Sequence, residues 1–406
     1  MAFALEIAAG GLFLAGGDEG ESGVSLPGRA ARRGNAWVFG HAALRVGGGT
    51  LDDFWEALSV EPVSGWGEKT SLARSMIAYH HLRELLQQMP KADDFALVLP
   101  VDILENEEKL GLVLGMAKSL GIALRALVPG PLCAVLGATE RSDASKPVTV
   151  VELEPGGWSL ARLTTDAEAF WSITAHHYLP ELGSRVIEDF AFRAWASRFL
   201  SDHAFDIHHA EDTERAFRES VALGLEALSK GLDAELIIRG RRERRLTISP
   251  ATASDLFREM ATAVARRITS QLSDWTGALI LTDRARHLPG LKSALIAEGW
   301  ETVYEVETGA TAKTLARMAE AWPPTHDLLN VPEINRLPHP SQTPLPGKPA
   351  KPAGHPHSEA ATHVLIGDQA HPLASLPDAN KEPTPLPGDI VDTPLGRGKA
   401  IRVLET

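Results

Sequence analysis

Two acids with the same local setting stand about 145 residues apart. Glu6 lies in the apolar run 2–7, Gly10-Gly11 follows, and Leu12-Phe13-Leu14-Ala15 returns. Glu152 lies near the end of the β-branched run 148–153. Glu154-Pro155-Gly156-Gly157 turns the chain, and 158–163 returns with alternating polarity. Strand, acid, glycine turn, strand is a plan that presents backbone N–H groups to a phosphate, because glycine puts no Cβ in the way. Its repetition predicts two lobes with related folds.

Other reactive residue types read as structural. The pairs His80-His81, His176-His177 and His208-His209 point to different faces of a helix or strand. None has a cysteine or an i,i+4 histidine beside it, so no metal site is expected. Cys133 sits in a small-residue apolar helix with no activating neighbour and reads as packing. The one basic cluster, residues 239–245, falls at a predicted hairpin tip. It reads as a solvated loop, with Arg241, Arg242 and Arg244 as candidates for docking an acidic protein partner.

The elements that must carry these residues alternate strand and helix, so the fold class is α/β. Residues 71–88 have helical spacing, 95–100 read as a strand, 105–120 as a helix, 122–128 as a strand and 130–137 as a small-residue helix starting at a proline. After the second acid hairpin come a strand at 171–177, helices at 183–200 and 213–230, and a hairpin at 235–238 and 244–248. One long helix is expected at 251–275, then a strand at 278–282 and helices at 288–298 and 310–322. Residues 25–28 read as a turn, and 36–43 as a strand entering a small-residue turn.

Composition bounds the function. With 406 residues the chain exceeds one simple core. A net charge of -13 argues against a nucleic-acid or anionic-membrane binder, which needs a basic face. The N-terminus has an apolar stretch but no basic leader, and Glu6 interrupts it, so it reads as a strand pair. No run approaches a membrane span in length, and a single cysteine suits a reducing, cytoplasmic setting. Domain expectations are a first lobe at 1–145, a second at 146–322 with a helical and hairpin insertion, a Pro-rich linker at 323–361, and a small β module at 362–406.

The order of these stretches over residues 1–322 resembles the actin-like ATPase superfamily, in particular the nucleotide-binding domain of DnaK-type heat-shock chaperones. Residues 2–15 look like the first phosphate loop and 148–163 like the second. Residues 39–43 look like the short Gly-x-x-Ala element, 128–135 stand at the Glu-Pro-x-Ala-Ala-Ala helix, 182–187 at the Gly-Gly-x-x-Phe-Asp element, and 279–288 at the adenosine strand and loop. Residues 327–332 look like the acidic-leucine linker of those chaperones. The resemblance implies two facing ribonuclease-H-like domains. It implies ATP or ADP with Mg²⁺ held by Glu6, Ala8, Gly10, Gly11, Glu152, Gly156, Gly157, Thr282 and Asp283.

Departures fall on the chemistry. The first loop's Asp-x-Gly-Thr is Glu6-Ile7-Ala8-Ala9 here, and the second loop's Asp-x-Gly-Gly is Glu152-Leu153-Glu154-Pro155. The adenosine loop's paired glycines are Thr282 and Asp283, and the adenosine-holding Glu and Lys fall near Ala222 and Leu225. Glu154 brings negative charge toward the phosphates, and the longer glutamate arm displaces the octahedral Mg²⁺ shell. The expectation is a chaperone-like fold with an eroded nucleotide site that acts mainly by binding a protein partner. A working ATPase with longer-armed acids and an actin-like scaffold of a membrane-associated assembly stand as alternatives.

Overall fold

The structure is a computed structural model. It describes residues 2–16, 23–34, 36–46, 49–63, 72–89, 94–138, 146–239, 242–273, 275 and 277–338, and the strands at 363–366, 369–372, 390–393 and 396–401. The chain divides into two compact units, Met1–Gly347 and Lys348–Thr406.

The larger unit is mixed α/β. Its first sheet begins with an antiparallel meander of β1 (Phe3–Ala8), β2 (Gly11–Gly16) and β3 (Val24–Pro27). A small hairpin of β4 (Ala30–Arg33) and β5 (Ala36–Phe39) and helix α1 (Arg74–Gln87) follow. Strand β6 (Asp94–Leu99) pairs parallel to β1. Beyond α2 (Val101–Leu104) and α3 (Glu107–Ser119), β7 (Ala123–Pro129) pairs parallel to β6. The Asn106 side chain starts α3 by accepting from the Lys109 amide at 3.0 Å, and Glu107 and Glu108 occupy the first turn, where the helix dipole favours acids. Helix α4 (Gly130–Ala138) then leads to the second sheet.

That sheet begins with β8 (Val148–Leu153), β9 (Gly157–Thr165) and β10 (Phe170–Pro180), again an antiparallel meander. Helices α5 (Ser184–His203) and α6 (Glu211–Ser229), the hairpin β11 (Ala234–Ile238) and β12 (Arg244–Ile248), and helices α7 (Pro250–Leu256) and α8 (Arg258–Gln271) intervene. Strand β13 (Ala278–Leu281) pairs parallel to β8. Past α9 (Leu291–Ala297), β14 (Val303–Glu305) pairs parallel to β13. Helix α10 (Ala310–Ala319) and β15 (Arg336–Pro338) complete the unit. The strand orders are β3-β2-β1-β6-β7 and β14-β13-β8-β9-β10-β15. Read from its meander, each sheet runs third, second, first, then two parallel additions.

Strands β1 and β8 are central and covered on both faces, so their residues are near-continuously apolar. Helices α4 and α10 lie between the sheets. Leu132, Val135, Leu315 and Ala316 share one core with Ala4 and Val98 of the first sheet and Val150 and Ile280 of the second. Separate cores fill the outer faces.

Three expectations change. Residues 24–27 are a strand rather than a turn; Pro27 is tolerated because β3 lies at a sheet edge, where a missing N–H donor costs nothing. The helix expected over 251–275 is two helices, divided at the fully buried Phe257. The expected Pro-rich linker does not begin at 323. Thr325 exchanges two backbone hydrogen bonds with Leu124 (2.8 and 2.9 Å), Leu127 bonds Pro332 and Ile334 in the same way (2.9 and 2.8 Å), and β15 pairs with β10. Residues 325–338 therefore strap the exposed edges of both sheets, and Leu337 is buried. Residues 339–361 of the expected linker lie outside the described residues.

The smaller unit contains an antiparallel sheet of β16 (His363–Ile366), β17 (Gln369–Pro372), β18 (Ile390–Thr393) and β19 (Gly396–Ile401), ordered β17-β16-β19-β18.

Candidate functional site

The two acids of the repeated hairpin plan meet. Glu6 and Glu152 sit near the C-terminal ends of the central strands β1 and β8, and a third strand end supplies what joins them. After β13, the Thr282 amide bonds the Val151 carbonyl at 3.1 Å, and Asp283 Oδ1 accepts from the Arg284 amide at 2.9 Å. This turn carries Arg284 between the acids. Its Nη1 lies 2.8 Å from Glu152 Oε1 and 3.3 Å from Glu6 Oε1, with the three side chains between 11% and 20% exposed. Gly10 closes over the arginine: a Cβ there would stand 3.0 Å from Arg284 Cδ and 3.1 Å from Nε.

Burial dominates the electrostatics. It pushes the Glu6 carboxyl up to about 7 against the pull of Arg284, with Asp283 and Glu152 adding to the rise. Burial raises Glu152 too, again opposed by Arg284 and reinforced by Asp283. Burial works against the Arg284 charge, but Glu6, Asp283 and Glu152 outweigh it and hold the guanidinium above its usual range. Three acids surround one cation, and burial favours the neutral forms of Glu6 and Glu152. Cys133 is buried nearby; burial, then Glu6, pushes its thiol up, which leaves it unreactive.

Each glycine of the two turns is already in contact with protein. At Gly11 (φ +142°) a Cβ would lie 2.7 Å from the Leu26 carbonyl oxygen. At Gly156 it would lie 2.5 Å from Glu56 Oε1 and 2.9 Å from the Tyr178 hydroxyl, and at Gly157 2.1 Å from the Leu179 carbonyl oxygen. Ala8 is buried in β1. Thus Glu6, Gly10, Glu152 and Asp283 converge on Arg284, and Thr282 shapes the turn that carries it. Gly11 and Gly156-Gly157 face other parts of the chain.

A cavity of about 230 Å³ adjoins Glu152. Pro100, Val101 and Pro131 supply its apolar wall. Its polar side holds Glu56, Asp102, Glu152 and Glu154, with Ser159, His176 and Tyr178. Most of these acids have cations or donors. Lys109 Nζ reaches Asp102 at 2.7 Å and the Glu56 carbonyl at 2.9 Å. Glu56 accepts from Tyr178 at 2.8 Å and from Arg185 at 3.3 Å. Ser159 Oγ lies 2.8 Å from His176 Nε2, and burial lowers the imidazole against the nearby Glu105 and Asp102. The Glu154 carboxyl has no hydrogen-bonding partner among the described residues. Burial, then Glu152, Asp102 and Glu56, holds it well above the ordinary carboxylate range, with only Lys109 opposing.

The remaining candidates are structural. His81 is fully buried, accepts from Trp55 Nε1 at 3.0 Å, and its Nε2 lies 3.1 Å from the Pro27 carbonyl oxygen; burial drives it down to about 3, so it stays neutral. No group of three histidine, cysteine or acidic side chains among the described residues is placed to hold a metal ion. Arg242 is exposed, while the Arg244 guanidinium stacks over Phe205 at 4.2 Å; Arg241 lies outside the described residues. The expected basic patch is thus partly spent on internal packing.

Arg284, Glu56 and Tyr178 were not singled out from the sequence. One signal pointed to the arginine: two acids in buried strands require a cation, and Asp283-Arg284-Ala285-Arg286 is the basic segment that follows a buried strand. No family model matches the chain, and no curated protein is significantly similar to it.

Proposed function

We propose that this chain is a two-lobed protein of the actin and DnaK-type fold, built from duplicated ribonuclease-H-like domains. Its cleft is held by an internal cation where relatives of that fold would hold magnesium nucleotide. Support for the fold comes from the matching strand orders of the two sheets and from the acid hairpins at corresponding places in each.

The observation that carries the functional reading is Arg284. Its guanidinium takes the two carboxylates that the resemblance assigns to the metal shell. The residues do not fit Mg²⁺-ATP. A phosphate at the first turn would have to displace Arg284 from Gly10, and one at the second would displace Glu56 and Tyr178 from Gly156. Glu154 would add negative charge beside it. The adjoining cavity of about 230 Å³ is below the usual range for larger organic ligands, about 300–1,000 Å³. On this reading the molecule is a chaperone-like binding protein that works through a protein partner, with no nucleotide cycle. The basic hairpin keeps only Arg242 as an exposed, described candidate for such a contact.

Titration calorimetry and thermal unfolding of the full chain with Mg²⁺-ATP and Mg²⁺-ADP test it. No binding heat and an unchanged melting temperature are expected, since a ligand selective for the folded state must raise that temperature. Saturable binding at millimolar nucleotide or tighter, with a raised melting temperature, would restore the working-ATPase reading.

A further inference from the structure

We propose that the cavity beside Glu152 binds a primary alkylammonium group, with its aliphatic stem against Pro100, Val101 and Pro131 and its charged head on Glu154. This names the chemistry of the group that the proposed function leaves open, and so rests on that reading. The cavity joins an apolar wall to an acidic end, which is the shape of an amine on a short hydrocarbon stem. Its volume of about 230 Å³ suits such a stem.

The other acids around the cavity are already served. Arg284 holds Glu152, Lys109 holds Asp102, and Arg185 with Tyr178 holds Glu56. Glu154 alone has no cation or donor among the described residues, although Glu152, Asp102 and Glu56 all face it and Lys109 is the cation nearest in effect. An unpaired acid at the end of a partly apolar cavity calls for a cationic head group. Ser159 Oγ and the Tyr178 hydroxyl line the same cavity as further oxygen acceptors, and neutral His176 adds no repulsion.

Binding has a proton signature. Burial and three neighbouring acids raise the Glu154 carboxyl and so favour its neutral form in the empty site. An ammonium ion, charged at pH 7 with an ordinary value near about 10.4, favours the carboxylate. Any proton that Glu154 holds in the empty site therefore passes to buffer as the ammonium docks, and charge is conserved.

The test is calorimetry on the full chain at pH 7 with n-butylamine, 1,5-diaminopentane and Nα-acetyl-lysine methylamide, each in two buffers of different ionisation enthalpy. The neutral control is Nα,Nε-diacetyl-lysine methylamide. Expected are binding of at least one amine, heats that differ between buffers by up to one released proton, and no binding of the control. Glu154→Gln keeps the shape and is expected to weaken binding by about tenfold or more. Its melting temperature reports that it folds. Tighter binding of the lysine derivative identifies a lysine of a bound polypeptide as the source; tighter binding of the diamine identifies a free small amine. No binding by any amine at millimolar ligand in at least about ten-fold excess over protein, or equal binding by a folded Glu154→Gln, overturns the proposal. If the amines fail while nucleotide also fails, the amine site falls and the non-nucleotide reading stands. If nucleotide binds, that reading falls first.

Discussion

At the scale of single residues, the chemistry turns on how few cations serve how many buried acids. Glu6 is buried in a central strand, and its raised value gives a definite sign for stability. The folded state holds a proton on Glu6 up to about 7, whereas the unfolded chain releases it near 4.5. Between those values the native state binds more protons, so its stability falls as pH rises. The contribution is complete below about 4.5 and lost above about 7, and a shift of this size corresponds to roughly 3 kcal/mol. Urea unfolding at pH 5 and pH 8 should show the wild type less stable at pH 8 by an amount of that order. Glu6→Gln should reduce the difference, the remainder belonging to Glu152 and Glu154, whose carboxyls burial also raises. A pH dependence identical in the two proteins would assign the effect elsewhere.

At the scale of elements, the glycine turns behave as packing devices. Strand β10 can pair with the second hairpin only because Gly157 lets the Leu179 carbonyl approach; an added Cβ would stand 2.1 Å from that backbone oxygen. Neither atom can move without breaking the β9–β10 pairing, in which Gly157 opposes Pro180. Gly157→Ala should therefore cost at least about 2 kcal/mol. Gly115, on the exposed side of α3 with open space where a Cβ would go, gives the opposite case. Gly115→Ala should stabilise by about 0.5–1 kcal/mol, because it lowers the backbone entropy lost on folding. Denaturant curves on the two variants check both signs at once. The opening hairpins, and most helices to within a few residues, were legible because period-two and period-3.6 patterns and glycine turns are local. Strand β15 was not, since Arg336-Leu337-Pro338 pairs with a strand about 165 residues earlier and carries no local period.

At the scale of the molecule, the larger unit is joined through its middle and by ion pairs between distant segments. Helices α4 and α10 share one core with both sheets. Ion pairs Arg29–Glu188, Arg45–Glu219 and Arg185–Asp52, with His41 Nε2 at 3.2 Å from Glu226, tie residues before α1 to α5 and α6. The strap of residues 325–338 binds the edges of both sheets. A chain ending at residue 347 keeps the strap, and one ending at 324 loses it together with the buried Leu337. The second should melt several degrees below the first, because it loses apolar burial and edge pairing together. Equal melting temperatures would show that the strap contributes nothing to the fold. Among the described residues no helix is long and apolar enough to cross a membrane.

The sequence alone determined the α/β class, the two acid hairpins and the apolar central strands, because burial pattern and turn chemistry are written in neighbouring residues. Only the tertiary structure decided what lies between the acids. Arg284 is 278 residues from Glu6 and 132 from Glu152, and no local rule says which buried cation will meet which buried acid. The same holds for Glu154, whose lack of a partner among the described residues depends on Lys109, Arg185 and Arg284 each turning to a different carboxylate. Pairing of charges in a low-dielectric interior is set by the packing that brings distant strand ends together.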